Sequence, residues 1–150
     1  MIRIRVVVDT REQEPLSFDP LKVDVERRVL PAGDYSVAGY EHRVGVERKS
    51  LSDFVGSVIR ARRRFAAELE RLRSYDFACV VVEGSLADVF GRRYRSGAEP
   101  ASVFGAVISI IVDFGIPVYF CSDRQIACRF VQDYLLRIHK KLTEETHADA

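Results

Sequence analysis

The sequence predicts a single α/β domain built on a mixed sheet of about six strands with helices packed against it. Short apolar runs of strand length, such as residues 77–84 and 116–121, alternate with stretches of helical periodicity, such as residues 126–142. The chain has 150 residues, of which 47% are hydrophobic. It is therefore long enough to bury one core without disulfides.

Four strands are predicted in the first half of the chain. Residues 2–8 alternate and then become fully apolar, which indicates a strand that enters the interior of the sheet. Residues 22–30, 31–40 and 42–49 each contain a further strand-like run, and short turns separate them. This spacing predicts that the last three strands form an antiparallel meander.

Helical periodicity begins at Ser50. Ser50 or Ser52 can cap a helix whose first turn holds Asp53, and a second helix follows it. Residues 77–84 form an uninterrupted apolar run, which is typical of a parallel strand buried on both faces. Residues 85–91 predict a short helix after that strand.

Two helices are predicted in the last third of the chain. Residues 101–114 are apolar nearly all round, so this helix is either central in the fold or half of a subunit interface. The final helix ends near Leu142 and is followed by a polar tail, for which we expect fraying. The sequence thus predicts a domain over residues 1–142 and a flexible tail over residues 143–150.

Composition excludes several classes of protein. The net charge of +1 argues against a strongly basic, histone-like nucleic-acid binder. Cys79, Cys121 and Cys128 lie in apolar stretches without C-x-x-C spacing, which indicates reduced thiols in a cytoplasmic protein. No apolar run reaches the ~18 residues that a membrane span needs, and the N-terminus lacks a signal-peptide pattern. We therefore expect a cytoplasmic protein without a membrane partner.

Three acidic residues lie where predicted strands begin or end, namely Asp9, Asp34 and Glu47. In the run Glu47-Arg48-Lys49, alternation places the first and third side chains on one face of a strand and Arg48 on the other. Carboxylates on neighbouring strands can converge on a hard divalent cation, and a lysine beside them can orient or deprotonate water. The alternatives are a surface ion pair at a strand end and aspartates that merely form turns.

The stretches "VVVDTREQEP", "LPAGDYSV" and "VGVERKSLSDFVGSV" together form a more specific pattern. They resemble the nuclease domain of the XPF-type structure-specific endonucleases, a branch of the PD-(D/E)XK superfamily. The resemblance runs from Ile2 to about His139. The residues that match the family's motifs are Asp9, Arg11, Glu12, Gly33, Asp34, Tyr35, Glu47, Arg48, Lys49 and Asp53.

The resemblance implies a restriction-endonuclease-like fold and an endonuclease that depends on Mg²⁺ or Mn²⁺. Its substrate would be branched, flapped or forked DNA during repair or recombination, so we expect activity associated with the nucleoid. Asp34 and Glu47 would ligate the metal, with Asp9 as a further ligand or water-positioning group. Lys49 would activate the attacking water.

Basic residues around these motifs are candidates for contacts with DNA. The resemblance implies that Arg11 and Arg48 hold phosphate or neighbouring carboxylates. Asp53 would support the site from the following helix, although Arg11 and Asp53 could equally be structural. Two arginine clusters are candidates: the first favours phosphate contacts, although such runs also occur on solvated faces, and the second could stack on a base or only solvate the surface. The clusters are Arg60, Arg62, Arg63 and Arg64, and then Arg92, Arg93 and Arg95 around Tyr94.

The chain also departs from the family pattern. We expect neither a helix-hairpin-helix module after the nuclease motifs nor a helicase domain before them, and Glu68 occupies the place expected for a glutamine. We therefore expect a stand-alone bacterial or phage-like member with a separate DNA-binding or helicase partner. Because the family works as dimers, we also expect a homodimer. Two alternatives stay open: a non-catalytic DNA-binding subunit, and a restriction-like or resolvase-like nuclease with another substrate.

Overall fold

A computed structural model describes residues 3–149, which form six strands and five helices. Ile2 and Ala150, which the sequence assigns to the first strand and to the tail, lie outside the described residues. The strands are β1 (Ile4–Val8), β2 (Val23–Arg27), β3 (Tyr35–Val37), β4 (Val44–Ser50), β5 (Phe77–Glu83) and β6 (Val118–Cys121). The helices are α1 (Leu51–Ile59), α2 (Arg62–Leu72), α3 (Leu86–Phe90), α4 (Pro100–Asp113) and α5 (Arg124–Asp149).

All six strands form one mixed sheet in the order β2-β1-β3-β4-β5-β6, which confirms the predicted fold class. β3 is antiparallel to both β1 and β4, whereas β4, β5 and β6 run parallel to one another. Residues 77–83 are therefore a buried parallel strand, as their apolar run predicts.

The predicted meander of three strands is wrong for β2. This strand lies at the edge of the sheet and pairs in parallel with β1, so it has no contact with β3 in the sheet. The composition of the two strands explains the difference. β1 is apolar on both faces and needs an interior place, whereas β2 carries Asp24, Glu26 and Arg27 and leaves Val25 exposed. Charged side chains are typical of edge strands, where they discourage further pairing.

Helices cover both faces of the sheet and divide the core into two parts. α5 packs through Val131, Leu135 and Ile138 on the face that also carries Cys79 and Val81. α1, α2 and α4 cover the opposite face. Because successive residues of β4 point to opposite faces, this strand can serve a different environment on each side.

The two last helices differ in part from their predicted form. α4 buries Val103, Val107 and Ile110 but leaves another apolar face exposed, so it is not enclosed on all sides. α5 continues to Asp149 instead of ending near Leu142, because residues 143–149 contain neither glycine nor proline to stop it. Among residues 3–149, no helix is long and apolar enough to cross a bilayer.

Candidate active site

The turn before β3 brings Asp34 against β4. Gly33 has a φ of +76°, and a Cβ there would lie 3.2 Å from the carbonyl oxygen of Val46. Only glycine accommodates both the left-handed backbone and this approach. The Asp34 N–H donates to the Val46 carbonyl oxygen (2.7 Å), and Asp34 Oδ2 accepts from the Arg48 N–H (2.8 Å). The Gly33-Asp34 dipeptide therefore fixes one carboxylate beside the strand that carries the other.

Asp34, which is half-buried, and Glu47, which is buried, line the same cavity. Burial raises the pKa of Asp34 to about 6, and the charge of Glu12 adds to the shift while the Arg48 N–H opposes it. Burial also raises the pKa of Glu47 well above its ordinary value, with the negative charge of Asp34 as the next cause. The positive charge of Lys49 opposes both shifts without cancelling them, so the protonated form of each carboxyl group is favoured. A cation that replaced the proton would relieve their repulsion.

Lys49 lies on the same face of β4 as Glu47, as strand alternation predicts. Its Nζ is 3.5 Å from Glu47 Oε1, and both side chains are largely buried. The ammonium also lies 5.2 Å from the centre of the Phe65 ring, at a distance suited to a cation–π contact. Phe65 of helix α2 thus contacts the ammonium group of Lys49. The sequence analysis did not predict this contact.

Asp9 lies near this pair, but its carboxylate is already occupied. Oδ2 accepts from Arg11 Nε (2.7 Å), and Oδ1 accepts from the Leu30 N–H (2.8 Å). Burial acts to raise the pKa of Asp9, yet these hydrogen bonds and the Arg11 charge hold it below 3.8. The structure therefore pairs Asp9 with Arg11, and its role as a further ligand or water-positioning group stays a prediction.

A cavity of about 580 Å³ collects most of the predicted catalytic residues. Paired carboxylates are the oxygen ligands that Mg²⁺ prefers, and Mg²⁺ usually keeps several waters, so Asp34 and Glu47 fit such an ion. Within residues 3–149, no three His, Cys, Asp or Glu side chains form a ready-made metal-binding group. The cavity is lined by Asp9, Arg11, Asp34, Glu47, Lys49, Glu68 and their neighbours, including Arg64 and Arg71.

Arg48 points to the opposite face of the sheet and binds carboxylates. Its guanidinium donates to both oxygens of Glu12 (2.8 and 3.1 Å) and to Glu83 Oε2 (2.9 Å). Tyr35 donates to the same Glu12 carboxylate (2.5 Å), and Arg124 reaches Glu83 Oε1 (3.3 Å). Of the two roles implied for Arg48, phosphate or neighbouring carboxylates, the geometry favours the second.

Asp53 and the arginines that follow it lie at the rim of the site. Asp53, Arg60 and Arg64 line a second cavity of about 480 Å³ that also contains Lys49. Arg62 instead lines a separate groove between α1, α2 and α4. All four arginines of residues 60–64 are exposed, but only two of them are thus placed beside the lysine.

The second arginine cluster is largely engaged in local contacts. Arg92 pairs with Glu99 (2.7 Å), and Arg93 pairs with Asp88 (3.0 Å). The Tyr94 hydroxyl donates to the Ala98 carbonyl oxygen (2.6 Å), so this ring is tied to its own loop. The Arg95 N–H donates to Ser52 Oγ (3.3 Å), which brings the loop next to the start of α1.

Sequence reasoning missed several residues that hold the site. Glu83 gave a weak signal, as a charged residue that ends the apolar run of β5. Arg124 gave none, because its partner lies 41 positions away. Phe65 looked like an ordinary core residue of α2, and the contact with Lys49 depends on how the helix packs.

The fold and the site together define a restriction-endonuclease-like domain, in which a turn acid and a Glu-x-Lys strand meet at one cavity. Residues 8–134 match the family model described as "ERCC4 domain". The chain belongs to this ERCC4-domain, XPF-type nuclease family, as the motif resemblance predicts.

Two curated relatives are longer than the segment they share with this chain. The first, named "Putative ATP-dependent RNA helicase" of Methanocaldococcus jannaschii, is 32% identical over 138 residues. The match covers 92% of this chain and 16% of the relative. The second, named "3'-flap repair endonuclease Xpf" of Saccharolobus solfataricus, is 30% identical over 128 residues, covering 81% of this chain and 50% of the relative.

Solved structures of XPF from Aeropyrum pernix share the fold. One has a TM-score of 0.69 at 27% identity and covers 95% of this chain and 69% of that chain. Another, solved in complex with DNA, has a TM-score of 0.70 at 32% identity and covers 93% of this chain and 66% of that chain. The bacterial or phage-like origin expected from the sequence stays a prediction.

Proposed function

We propose that this chain is a DNA endonuclease that hydrolyses phosphodiester bonds with Mg²⁺ or Mn²⁺ as cofactor. One observation carries the proposal: two carboxyl groups, the half-buried Asp34 and the buried Glu47, meet at a cavity with Lys49 Nζ 3.5 Å from Glu47. The resemblance to a flap repair endonuclease and to an XPF solved with DNA supports this activity.

The residues divide the chemical work as follows. A divalent cation, when bound, supplies positive charge for the scissile phosphate and makes water more acidic. Asp34 and Glu47 would hold that cation. Lys49, on the same face, would orient the attacking water and relay its proton. Arg11 has a side chain that is 70% exposed beside the cavity, so its remaining guanidinium donors can hold a phosphate.

We further propose that DNA passes over the rim formed by Arg60 and Arg64. Both residues are exposed and share a cavity with Lys49, so phosphates bound there lie next to the cutting centre. The remaining members of the two clusters, Arg62, Arg63, Arg92, Arg93 and Arg95, are secondary candidates. Since the substrate is DNA, we expect action in the cytoplasm at the nucleoid.

Branched, flapped or forked DNA is the proposed substrate, and a cleavage panel tests it. We would incubate the protein and its Lys49→Ala variant with labelled flap, fork, four-way and linear duplex DNA in Mg²⁺ or Mn²⁺. We expect the wild type to cut flap or fork DNA and the variant to bind without cutting. Preferred cutting of linear duplex or four-way DNA would favour the restriction-like or resolvase-like alternative. Full cleavage by Lys49→Ala would contradict the role of the lysine.

We also propose that the chain forms a homodimer through α4. Phe104, Ile108, Ile111 and Val112 are exposed by 36 to 71% and recur at helical spacing on one face. Phe90 extends this apolar surface, with its ring 5.3 Å from that of Phe104. Exposed apolar surface of this kind is typical of protein–protein contacts.

A helicase or DNA-binding module is the further partner that we propose. The matched segment is 16% of a relative that is named a helicase and 50% of a named flap endonuclease. In both relatives, additional chain accompanies this nuclease-type domain. Such a module, in the same protein or as a separate partner, would supply the grip on branched DNA.

A further inference from the structure

The loop that follows β1 carries Arg11 to the candidate active site. Residues 9–16, which we call the Arg11 loop, have neither helix nor strand structure. The Arg11 side chain is 70% exposed and lines two cavities that contain both Asp34 and Glu47. The direction in which its guanidinium faces these cavities therefore depends on how the backbone of the loop is held.

Arg27 holds the backbone on both sides of Arg11. It is the last residue of β2, and its Nη2 donates to the carbonyl oxygens of Thr10 (3.1 Å) and Glu12 (2.7 Å). One guanidinium nitrogen thus bridges the residues immediately before and after Arg11. Because a guanidinium presents its N–H donors in a fixed plane, the bridge restrains the direction of the backbone as well as its position.

Arg124 holds the other end of the same loop. It is the first residue of α5, and its Nη2 donates to the carbonyl oxygens of Glu14 (2.5 Å) and Pro15 (2.8 Å). Its Nη1 donates to Glu83 Oε1 (3.3 Å), and the other oxygen of that carboxylate accepts from Arg48 (2.9 Å). Arg124 thereby ties the Arg11 loop to the end of β5 and, through it, to β4.

We propose that Arg27 and Arg124 are positioning residues for DNA cleavage, which hold the Arg11 loop so that Arg11 binds the phosphate beside the paired carboxyl groups. This inference rests on the proposed nuclease function and adds two residues that lie outside its sequence motifs. Neither arginine lines a cavity that contains Asp34 and Glu47. Their effect on cleavage therefore passes through the loop and Arg11.

A double-mutant cycle tests whether the two arginines act through Arg11. The cleavage rate of the DNA that the wild type cuts best is measured in Mg²⁺ at saturating protein, for Arg27→Gln and Arg124→Gln. Each change is made in the wild-type chain and in the Arg11→Gln chain. In the wild-type chain we expect each to lower the rate by about tenfold or more, since a small misplacement costs that much. In the Arg11→Gln chain we expect a loss below about twofold, because the group to be positioned is already gone.

Two arginines in the same parts of the chain serve as controls. Arg28 directly follows β2 but pairs with Glu26 and Glu41, and Arg129 of α5 makes an exposed ion pair away from the loop. Arg28→Gln and Arg129→Gln should leave the cleavage rate unchanged in both chains.

Amide hydrogen exchange, measured without DNA or cation, reports on the loop independently of cleavage. We expect faster exchange in the Arg11 loop of Arg27→Gln and Arg124→Gln, and unchanged exchange in β5. If a glutamine variant melts below the assay temperature, Arg27→Lys or Arg124→Lys takes its place in both measurements, because a lysine keeps the charge but lacks the planar fork.

The outcomes separate this proposal from the proposed function. With a wild type that cuts DNA, equal fold losses in the two chains would overturn the positioning role, because a merely structural defect lowers the rate in either one. Unchanged exchange in the Arg11 loop would overturn it as well, and weaker DNA binding in those variants would then identify Arg27 and Arg124 as phosphate contacts. A wild type that cuts no DNA in Mg²⁺ or Mn²⁺ would overturn both proposals.

Discussion

The carboxyl groups of Asp34 and Glu47 are the residues on which the proposed chemistry depends. Burial raises both pKa values, and the charge of Asp34 adds to the shift of Glu47, so without a cation the folded protein holds protons that the unfolded chain releases. Deprotonated carboxylates are what a divalent cation requires, and its binding therefore displaces those protons. The pH and the concentration of the cation should therefore both change the free energy of unfolding through these two side chains.

The stability of the cation-free protein should depend on pH through these carboxyl groups. The pKa of Asp34 is about 6 in the folded state against an ordinary 3.8, so the folded state binds the proton more tightly. The free energy of unfolding should therefore fall as the pH rises from about 4 to above about 6, and the raised pKa of Glu47 acts in the same direction. Urea unfolding in EDTA at several pH values measures this slope.

The Asp34→Asn variant isolates the contribution of the pair. Without the second carboxylate, the decline of stability with rising pH should become shallower than in wild type. Saturating Mg²⁺ should also reduce the decline in the wild type, since the bound cation favours the deprotonated pair. An equal or steeper decline in Asp34→Asn would show that the pKa of Asp34 is not raised.

At the scale of elements, β4 separates two functions on its two faces. Glu47 and Lys49 face the side covered by α1 and α2, where the candidate metal site lies. Arg48 faces the side covered by α5 and joins the loop after β1 to the end of β5 through Glu12 and Glu83. The strand therefore positions the site on one face because it is anchored on the other.

Replacing Arg48 tests this anchoring role. Arg48→Ala would remove the guanidinium between Glu12 and Glu83, which are 8% and 11% exposed at the side chain, and leave them only Tyr35 and Arg124 as partners. We expect a loss of roughly 3–5 kcal/mol in the free energy of unfolding, the usual effect of breaking a buried pair. The control Arg129→Ala breaks an exposed pair with Asp133 and should leave the free energy of unfolding nearly unchanged.

The outcome distinguishes the two roles implied for Arg48. A small stability loss in Arg48→Ala, similar to that of Arg129→Ala, together with weaker DNA binding would show that Arg48 is a phosphate ligand. Urea titration and a gel-shift assay on the same preparations supply both measurements.

The packing of α2 against β4 also depends on a glycine. A Cβ at Gly45 would lie 2.5 Å from Leu72 Cδ2 and 3.3 Å from the Tyr75 ring. Because Leu72 is fully buried, we expect Gly45→Ala to lower the free energy of unfolding by about 1–3 kcal/mol. Gly56→Ala is the control, since nothing lies within 4 Å and the residue is inside α1. Thermal or urea unfolding should show Gly56→Ala to be stabilised by about 0.5–1 kcal/mol, and equal effects of the two changes would contradict this packing.

At the scale of the whole molecule, the two faces of the sheet differ in how much apolar surface their helices leave exposed to solvent. α5 buries a continuous row of side chains, whereas α4 leaves Ile108 and Val112 exposed by 46% and 71%. The proposed homodimer would cover this surface. Two catalytic centres in one particle would then be possible on branched DNA.

A charge on the exposed face of α4 tests self-association. Ile108→Glu should convert a dimer into a monomer of 17.0 kDa, because a carboxylate in an apolar interface is strongly disfavoured. The control is Leu21→Glu, at an apolar residue that is 75% exposed elsewhere on the surface. Light scattering measures the mass of each. A wild type that stays monomeric at high concentration, or an Ile108→Glu variant that stays dimeric, would contradict the proposed interface.

Sequence periodicity predicted the elements and the faces of β4, because alternation is a local property of the chain. It placed Glu47 with Lys49, and it placed Asp34 next to them through the turn at Gly33. Periodicity did not predict that β1 lies between β2 and β3. The order in which strands pair depends on how their side chains pack in the folded core, which is not a local property of the chain.

Contacts between side chains that are far apart in the sequence could not be predicted from the sequence either. The Glu83–Arg124 contact and the contact of Phe65 with Lys49 exist only after the helices have packed. Asp9 and Arg11 are two positions apart, yet their spacing alone does not show that the carboxylate forms an ion pair with the guanidinium. The end of α5 was misplaced because polar composition alone does not stop a helix.

We propose that Asp34 and Glu47 hold a divalent cation that drives DNA hydrolysis. The most direct measurement is the rate of cleavage of a labelled flap DNA by wild type and Asp34→Asn, with Mg²⁺ or with EDTA, at protein concentrations that give equal DNA binding. We predict cutting by the wild type in Mg²⁺ alone and a rate at least about 100-fold lower for Asp34→Asn. Equal rates for the two proteins, cutting in EDTA, or bound DNA that neither protein cuts would contradict the claim.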